Sequence, residues 1–255
     1  MDINDKIIVV TGAGDGIGKA LAERFAAEGA AHVVVSDINA EAAQAVAAAI
    51  GGTAIPADVG KEADIQALIE QTEDQIGPID LFCSNAGILR AGGLDTPDEQ
   101  WQQIWDVNVM SQLWAARHLV PRMAARGGGY LLNTASAAGL LNQIGAAPYG
   151  VTKHASVGLA EWIAMSHGDE GIKVSLLCPQ AVRTEMVRGH EDGVAAMDGL
   201  LEPSDVAQAV VDGLAAEQFL ILPHPQVGEY IKLKAGDYDR WLGGMRKLNR
   251  VYGRI

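Results

Sequence analysis

The sequence is poor in cysteine, in aromatic residues and in positive charge. Only two cysteines, Cys83 and Cys178, occur in 255 residues. Each lies within an apolar run, which favours buried free thiols over a disulfide framework. Lysine and arginine number 19 against 32 aspartates and glutamates, which gives a formal net charge of −13. Because a surface of that sign repels phosphate backbones, the composition argues against nucleic acid as a partner.

Long hydrophobic runs and a basic leader are also missing. No apolar run approaches the roughly 20 residues of a membrane span. The first residues, Met1–Lys6, lack the basic and apolar regions of a secretion signal. Together with the free thiols, this leads us to expect a protein of the cytoplasm. No grouping of His, Cys and carboxylates has the spacing of metal ligands, so we expect no catalytic metal.

What the sequence does have is an alternation of short β-branched runs with longer alanine-rich stretches of helical periodicity. Such alternation predicts a single α/β domain over residues 1–255, with a doubly wound parallel sheet of about seven strands and helices on both faces. Pro121 is expected to kink or end the fourth helix. The predicted strands are Ile7–Val10, Val33–Val35, Thr53–Pro56, Ile79–Cys83, Tyr130–Asn133, Val174–Leu177 and Phe219–Leu222, and the helices are Ile17–Glu28, Ala40–Ile50, Ala63–Gln75, Glu99–Ala125, Pro148–His167 and Pro203–Ala215.

Two segments depart from this pattern. Residues 180–200 have weak periodicity, and we interpret them as a mobile lid over the carboxyl ends of the strands. The tail, residues 224–255, is rich in basic residues from Glu229 onward. We expect it to pack over the crevice or against a neighbouring subunit, with docking on a membrane surface as the alternative. Its apolar residues share one helical stripe, made of Trp241, Leu242, Met245, Leu248 and Tyr252.

A glycine-rich turn, Thr11–Gly18, follows the first predicted strand. Its glycines let the chain turn tightly and bring backbone N–H groups and a helix N-terminus to a pyrophosphate, although glycine also serves plain turns. Asp37 ends the second strand, where a carboxylate accepts hydrogen bonds from the ribose hydroxyls of adenosine and repels a 2′-phosphate. Asp15 adds negative charge. The pattern favours NAD over NADP, with a turn or helix N-terminal role as the alternative for Asp37.

A candidate site for proton transfer lies further along the chain. Tyr149 and Lys153 are four residues apart on a predicted helix, so their side chains share one face. A neighbouring lysine cation lowers the pKa of a tyrosine hydroxyl, which makes Tyr149 the candidate acid/base. Ser136, at the end of the fifth strand, can hydrogen-bond the reacting oxygen. Tyr230 and Lys234 repeat the spacing in the tail, but no serine precedes them and they lie far from the glycine-rich turn.

In order and spacing, these residues resemble the signature of the short-chain dehydrogenase/reductase family. The resemblance extends from Thr11 to about Thr184 and implies a Rossmann-like fold. Gln180 follows Pro179 where family members commonly have glycine, and the tail lacks the Asp-Gly-Gly ending common among 3-oxoacyl reductases. The residues that carry the resemblance are Thr11-Gly-Ala-Gly-Asp-Gly-Ile-Gly18, Asp37, Asp58, Asn85-Ala-Gly87, Asn108, Ser136 and Tyr149-Gly-Val-Thr-Lys153.

The resemblance implies a catalytic tetrad of Asn108, Ser136, Tyr149 and Lys153. In it, Asn108 holds a water of the proton relay and Lys153 also binds the nicotinamide ribose. The family resemblance further implies a homotetramer or homodimer, built through the helices that begin near Glu99 and Pro148.

The resemblance also implies an extended site for NAD. Thr184 and the backbone near Val182 hold the nicotinamide carboxamide. Asp58-Val59 and Asn85-Ala86-Gly87 follow the third and fourth strands and are placed to contact adenine and the adjoining ribose, with simple turn chemistry as the alternative. The residues assigned to NAD are Gly12, Asp15, Gly16, Ile17, Gly18, Asp37, Ile38, Asp58, Val59, Asn85, Ala86, Gly87, Tyr149, Lys153, Pro179, Val182 and Thr184.

The predicted function is interconversion of a secondary alcohol and a ketone with NAD, on a medium-sized apolar substrate that is cyclic, terpenoid, aromatic or steroid-like. The alternatives are a 3-oxoacyl-type reductase and a non-catalytic NAD-binding redox sensor. Leu140, Gln143 and Met186 are the predicted substrate-binding residues. Further candidate residues for the walls of the substrate site, which could equally belong to the core, are Ile88, Leu89, Leu94, Leu141, Ile144 and Val187. Candidates for binding an acidic group of the substrate, with surface roles as the alternative, are Arg90, Arg183, Arg188 and His190. We interpret His118 and His154 as structural.

Overall fold

Seven parallel strands form one sheet at the centre of the molecule. The computed structural model describes residues 1–189 and 193–253. Strand order is β3-β2-β1-β4-β5-β6-β7, and each neighbouring pair is parallel. This confirms the predicted doubly wound sheet. The strands are β1 Ile7–Thr11, β2 His32–Ser36, β3 Thr53–Ala54, β4 Leu81–Ser84, β5 Gly129–Thr134, β6 Ile172–Leu177 and β7 Leu220–Ile221.

Ten α-helices accompany these strands within the described residues. The predicted fourth helix is divided by a π-helical turn, Asp106–Met110. Pro121 lies inside the second part, so the expectation that it ends the helix was wrong, while a kink at this residue stays a prediction. Buried Leu119, Val120 and Met123 hold this part in place on either side of the proline. The helices are α1 Gly16–Ala27, α2 Ala40–Ile50, α3 Glu62–Gln75, α4 Asp98–Trp105, α5 Ser111–Ala125, α6 Ala138–Leu141, α7 Ala147–His167, α8 Pro203–Ala215, α9 Gln226–Gly236 and α10 Tyr238–Tyr252.

Both faces of the sheet are covered by apolar side chains. Along β1, Val9 packs into one core layer while Ile8 and Val10 pack into the other, because successive strand residues point to opposite faces. Helices α3, α5 and α7 cover the first face, and α1, α2 and α8 cover the second. A strand buried on both sides must be apolar throughout, which explains the continuous Ile-Ile-Val-Val run of β1.

The strand order reverses between β1 and β4, which are neighbours in the sheet although two strands separate them in sequence. In doubly wound sheets a crevice opens at the carboxyl ends of the strands at such a point. The loops that follow β1, β4, β5 and β6 therefore meet there. None of the helices among the described residues is long and apolar enough to cross a membrane.

Candidate active site

A large crevice, about 1900 Å³ in volume, lies at the carboxyl end of the sheet. Most of the residues singled out from the sequence line it, although they come from eight separate segments of the chain. The predicted residues that line it are Gly12, Asp15, Gly16, Ile17, Gly18, Asp37, Ile38, Asp58, Val59, Asn85, Ala86, Gly87, Ser136, Gln143, Tyr149, Lys153, Pro179, Val182, Thr184 and Met186.

The glycine-rich turn is built so that only glycine fits at its critical positions. Gly12 and Gly16 have φ of +62° and +55°, in the left-handed region that favours glycine. A Cβ on Gly18 would lie 2.1 Å from the carbonyl oxygen of Gly12. Asp15 precedes α1 but gives no side-chain cap to that helix, so the first N–H groups of α1 face the crevice without a capping oxygen from this residue. This is a cradle for an anion such as a pyrophosphate.

Asp37 organises the same turn from the end of β2. One carboxylate oxygen accepts from the N–H of Gly14 at 2.9 Å, and the other accepts from the N–H of Asn39 at 2.9 Å. The side chain is half-buried and lines the crevice. Asp37 thus fixes the loop while keeping its negative charge at the position predicted for an adenosine ribose.

Asn85 joins three strand ends. Its amide nitrogen donates to the carbonyls of Thr11 and Gly12, at 3.1 and 3.3 Å, and its amide oxygen accepts from the hydroxyl of Thr134 at 3.2 Å. Because both amide protons and one acceptor site of the amide oxygen are engaged by protein groups, Asn85 holds the floor of the crevice together.

Ser136, Tyr149 and Lys153 converge in the crevice. The hydroxyl of Ser136 interacts with that of Tyr149 and lies 3.4 Å from the carbonyl oxygen of Pro179. The Lys153 ammonium donates to the carbonyl oxygen of Thr134 at 3.0 Å and lies 5.6 Å from the centre of the Tyr149 ring. Tyr149 and Lys153 are only 8% and 3% exposed. The structure thus brings together the serine, phenol and ammonium that the sequence pattern links.

The acid–base properties of this group differ from the sequence-based expectation. Burial is the largest influence on Tyr149 and raises the pKa of its hydroxyl, although the hydrogen bond with Ser136 acts in the opposite direction. Burial also lowers the pKa of Lys153 to about 8. The expected depression of the Tyr149 pKa was therefore wrong for the protein alone. The ammonium is directed at the Thr134 carbonyl, and low dielectric disfavours both charged forms.

The low pKa of Lys153 predicts a stability that rises with pH. An unfolded lysine keeps its proton up to its ordinary pKa of 10.5, whereas the folded one releases it near 8, so the unfolded chain binds more protons between these values. Burial of the charged Lys153 ammonium costs on the order of 3 kcal/mol of folding free energy below pH 8, and this cost disappears as the ammonium loses its proton at higher pH. Lys153→Met removes this dependence. We expect wild type to gain about 2 kcal/mol of unfolding free energy over the variant between pH 7 and pH 10, measured by denaturant titration; a constant difference would contradict the assignment.

Asn108 occupies the π-helical turn and is fully buried. Its amide accepts from the N–H of Ile88 at 2.8 Å and donates to the carbonyl of Ile88 at 2.9 Å and to the Thr152 hydroxyl at 3.2 Å. These bonds connect the loop after β4 to α7, one residue before Lys153. Gly87 leaves the space open beside this site, since a Cβ there would lie 3.3 Å from Asn108 Oδ1 and 3.4 Å from Lys153 Nζ.

Several predicted wall residues lie elsewhere. Leu140 is absent from the crevice lining among the described residues. Helix α6 places it against the small apolar cluster of Ala137, Leu141 and Val227, so the structure does not bring it into the crevice with the other two predicted substrate-binding residues. Leu94 is fully exposed. The candidate walls that do line the crevice are Ile88, Leu89, Leu141, Ile144, Met186 and Val187.

The basic candidates and histidines have varied surroundings. Arg183 pairs with Glu202 at 2.7 Å and lies outside the crevice lining as far as the structure describes it, whereas Arg90 and Arg188 line the crevice. The remaining candidate, His190, lies outside the described residues. His154 Nδ1 is 2.8 Å from the carbonyl oxygen of Gly150, in keeping with a structural role.

The tail contributes a wall that the sequence pattern only partly indicated. Trp241, Met245, Leu248 and Tyr252 of the predicted stripe line the crevice from α10, whereas Leu242 is half exposed on the outside. The lining residues that had no predicted role in binding include Gln180, Asp198 and Tyr230. No spacing in the sequence pairs Asp198 with Tyr230, because they lie on separate segments that only the fold brings together. For Gln180 a signal was available, since it follows Pro179 where family members commonly have glycine.

Comparison with known proteins agrees with this geometry. The family model described as short chain dehydrogenase matches residues 6–194. The chain belongs to the short-chain dehydrogenase family. The match confirms the resemblance inferred from the sequence, and it includes the glycine-rich turn, Asp37, Ser136, Tyr149 and Lys153.

Individual members of the short-chain dehydrogenase family resemble the chain over most of its length. It is 39% identical over 225 residues to 2,5-dichloro-2,5-cyclohexadiene-1,4-diol dehydrogenase of Sphingobium indicum, covering 82% of this chain and 90% of the relative. It is 35% identical over 220 residues to cyclohexanol dehydrogenase of an Acinetobacter species, covering 81% and 86%. A crystal structure of a short chain dehydrogenase/reductase from Burkholderia phymatum in complex with NAD has a TM-score of 0.86 and 28% identity, covering 94% of this chain and 96% of that one.

No group of three or more His, Cys, Asp or Glu side chains in residues 1–189 and 193–253 is arranged to hold a metal ion.

Proposed function

We propose that this short-chain dehydrogenase interconverts a secondary alcohol and a ketone with NAD as the coenzyme. The observation that carries the proposal is the convergence of Ser136, Tyr149 and Lys153 in one crevice with the glycine-rich turn and Asp37. The relatives named for oxidation of cyclohexanol and of a cyclohexadiene diol support a cyclic, medium-sized substrate. Apolar walls formed by Leu141, Ile144 and Met186 suit such a ring.

The residues present fit NAD. The uncapped N-terminus of α1 and the tight glycine turn, in which Gly12 and Gly16 have positive φ, suit a pyrophosphate, and Asp37 suits unmodified ribose hydroxyls. When bound, NAD supplies the hydride acceptor, and its reduced form supplies the hydride donor. Thr184 and the backbone near Val182 are proposed to hold the nicotinamide end, and Lys153 the adjoining ribose.

The chain's own residues supply the proton chemistry. In reduction the Tyr149 hydroxyl gives its proton to the ketone oxygen and becomes a phenolate, and in oxidation the phenolate takes the proton of the substrate hydroxyl. Ser136 donates a hydrogen bond to the substrate oxygen and steadies it. Lys153 places a positive charge near the phenolate that forms, which favours that charged state. Asn108, which ties the loop after β4 to α7, holds Lys153 and Tyr149 in position.

An absorbance assay at the wavelength of reduced nicotinamide tests the proposal. The protein is screened with NAD over secondary alcohols of graded size, including cyclohexanol, with NADP in parallel. We expect turnover with NAD on cyclic alcohols and at least tenfold weaker use of NADP. NAD binding without turnover across the whole panel would overturn the proposal and favour a redox-sensing role.

Gly18→Ala is expected to impair both NAD binding and stability. The added Cβ would lie 2.1 Å from the Gly12 oxygen and 2.6 Å from the Asn85 amide nitrogen, so the turn must shift. We expect at least a tenfold loss of NAD affinity by isothermal titration, and about 1–3 kcal/mol of destabilisation. Gly93→Ala is the control, because its nearest contact would be an ordinary 3.6 Å to Asp95. Wild-type NAD affinity in the Gly18 variant would contradict the proposed pyrophosphate cradle.

We also propose that the chain forms a homo-oligomer in a reducing compartment such as the cytoplasm. Val151, Trp162 and Met165 on α7 are 47%, 56% and 77% exposed, an apolar face suited to a second copy of this chain. Both cysteines are buried and free. Light scattering after size-exclusion chromatography tests the proposal: a dimer or tetramer is expected, and a monomer at micromolar concentration would contradict it.

A further inference from the structure

A carboxylate stands in the crevice opposite the tail helices. Asp198 lines the wall, and each of its oxygens accepts one hydrogen bond from a neutral donor. The Gln180 amide donates to Oδ2 at 2.9 Å, and the Tyr230 hydroxyl donates to Oδ1 at 2.9 Å. The three side chains come from the loop after β6, the segment before α8, and α9. Two donors from separate elements therefore fix the position of the carboxylate.

This carboxylate is tied to the centre of the reaction by one short stretch of chain. Gln180 directly follows Pro179, whose carbonyl oxygen lies 3.4 Å from the Ser136 hydroxyl and accepts from the N–H of Ala137 at 2.9 Å. On its other side, the N–H of Gln180 donates to Nδ1 of His224 at 3.2 Å, and His224 is only 2% exposed. The position of Gln180 is thus determined by the catalytic serine loop and by the start of the tail.

The charge on Asp198 has no cationic partner within the described chain. Its hydrogen bonds come from the amide and the phenol, and no salt bridge joins it to a described lysine or arginine. His224, the titratable neighbour, stays neutral near pH 7 because burial lowers the pKa of its ring. A carboxylate has about four lone-pair sites. Two of these acceptor sites on Asp198 remain for a ligand. A ligand that covered them without donating a hydrogen bond would leave the negative charge poorly solvated.

We infer that Asp198, held by Gln180 and Tyr230, binds a second hydroxyl group of the substrate, so that the enzyme prefers diols to the corresponding mono-alcohols. This inference rests on the proposed alcohol dehydrogenase function. A hydroxyl fits better than an ammonium group, because the crevice that Asp198 lines also has apolar wall residues such as Leu141, Met186 and Trp241 and basic ones such as Lys232 and Arg240, and moving a full cation into it costs far more than moving a neutral donor.

The test compares matched substrates on wild type and Asp198→Asn. The substrates are cyclohexanol, the 1,2-, 1,3- and 1,4-cyclohexanediols, and the corresponding amino alcohols, assayed with saturating NAD. For wild type we expect at least one diol to have a KM about tenfold below that of cyclohexanol. For Asp198→Asn we expect the KM of that diol to rise about tenfold, with kcat and the KM of cyclohexanol within twofold of wild type.

Gln180→Gly and Tyr230→Phe each remove one hydrogen-bond donor to Asp198, so they test the same inference with different variants. Both are expected to raise the KM of the preferred diol by a smaller factor than Asp198→Asn does. Equal changes for diol and cyclohexanol, no diol preference in wild type, or a preference for the amino alcohol would overturn the inference. Absence of turnover on every alcohol is a different result, because it contradicts the proposed function itself.

Discussion

Tyr149→Phe lowers kcat for alcohol oxidation by about a thousandfold while leaving NAD affinity within twofold of wild type. The phenylalanine ring keeps the packing of a residue that is 8% exposed, but it cannot take or return a proton. General acid–base catalysis contributes about 10²–10⁴ to rate, which sets the size of the expected loss. Steady-state kinetics with a cyclic alcohol and isothermal titration with NAD measure the two quantities separately.

Tyr130→Phe is the matched control. Tyr130 is another buried tyrosine, 2% exposed, whose hydroxyl is 2.8 Å from that of Ser175 on the neighbouring strand, away from the crevice. Its replacement should cost about 1 kcal/mol of stability and leave kcat unchanged. If both tyrosine variants retained wild-type turnover, or both lost it equally, the acid/base role of Tyr149 would be refuted.

Asp37→Asn shifts the preference between coenzymes. A carboxylate about 4 Å from a 2′-phosphate raises its energy by about 4 kcal/mol per unit charge at an effective dielectric of about 20, and the amide removes this repulsion. The amide oxygen can still accept one of the two hydrogen bonds, from Gly14 or Asn39, that organise the turn. We expect the ratio of kcat/KM with NADP to that with NAD to rise on the order of a hundredfold or more.

Glu41→Gln controls for the change in total charge, because Glu41 is exposed in the first turn of α2 and lies outside the crevice lining given by the described residues. It should leave the coenzyme ratio within twofold. A coenzyme ratio in Asp37→Asn no different from that of Glu41→Gln would mean that Asp37 acts only as a turn residue, as its two backbone contacts would permit.

The sheet could be predicted from the sequence because its pattern is local. In β1 every residue from Ile7 to Val10 is apolar, since both faces of the strand are covered, and the same logic gave the other strands to within a few residues. The glycine-rich turn could also be predicted from the sequence. A positive φ at Gly12 and the close approach at Gly18 leave no room for another residue. The positions of Ser136, Tyr149 and Lys153 followed from the strand-end rule and helical spacing.

Other features depend on contacts between distant segments, and the sequence pattern could not supply them. Leu140 and Leu141 are adjacent, and only the rotation of α6 against α9 decides which one reaches the crevice. The pKa of Tyr149 depends on how completely the fold buries it, which spacing to Lys153 does not reveal. The hydrogen bond between Asp198 and Tyr230 joins residues that are 32 positions apart. It depends on how the tail packs, which the helical stripe of apolar residues does not determine.

Transfer of deuterium from substrate to coenzyme would show the proposed hydride transfer itself. The protein is incubated with NAD and cyclohexanol carrying deuterium at the carbinol carbon, and the reduced coenzyme is examined by mass spectrometry and proton NMR. We expect one deuterium at nicotinamide C4, on a single face of the ring, with transfer greatly slowed in Tyr149→Phe. Ketone formation with no deuterium in the coenzyme, or equal transfer by the Tyr149 variant, would contradict it.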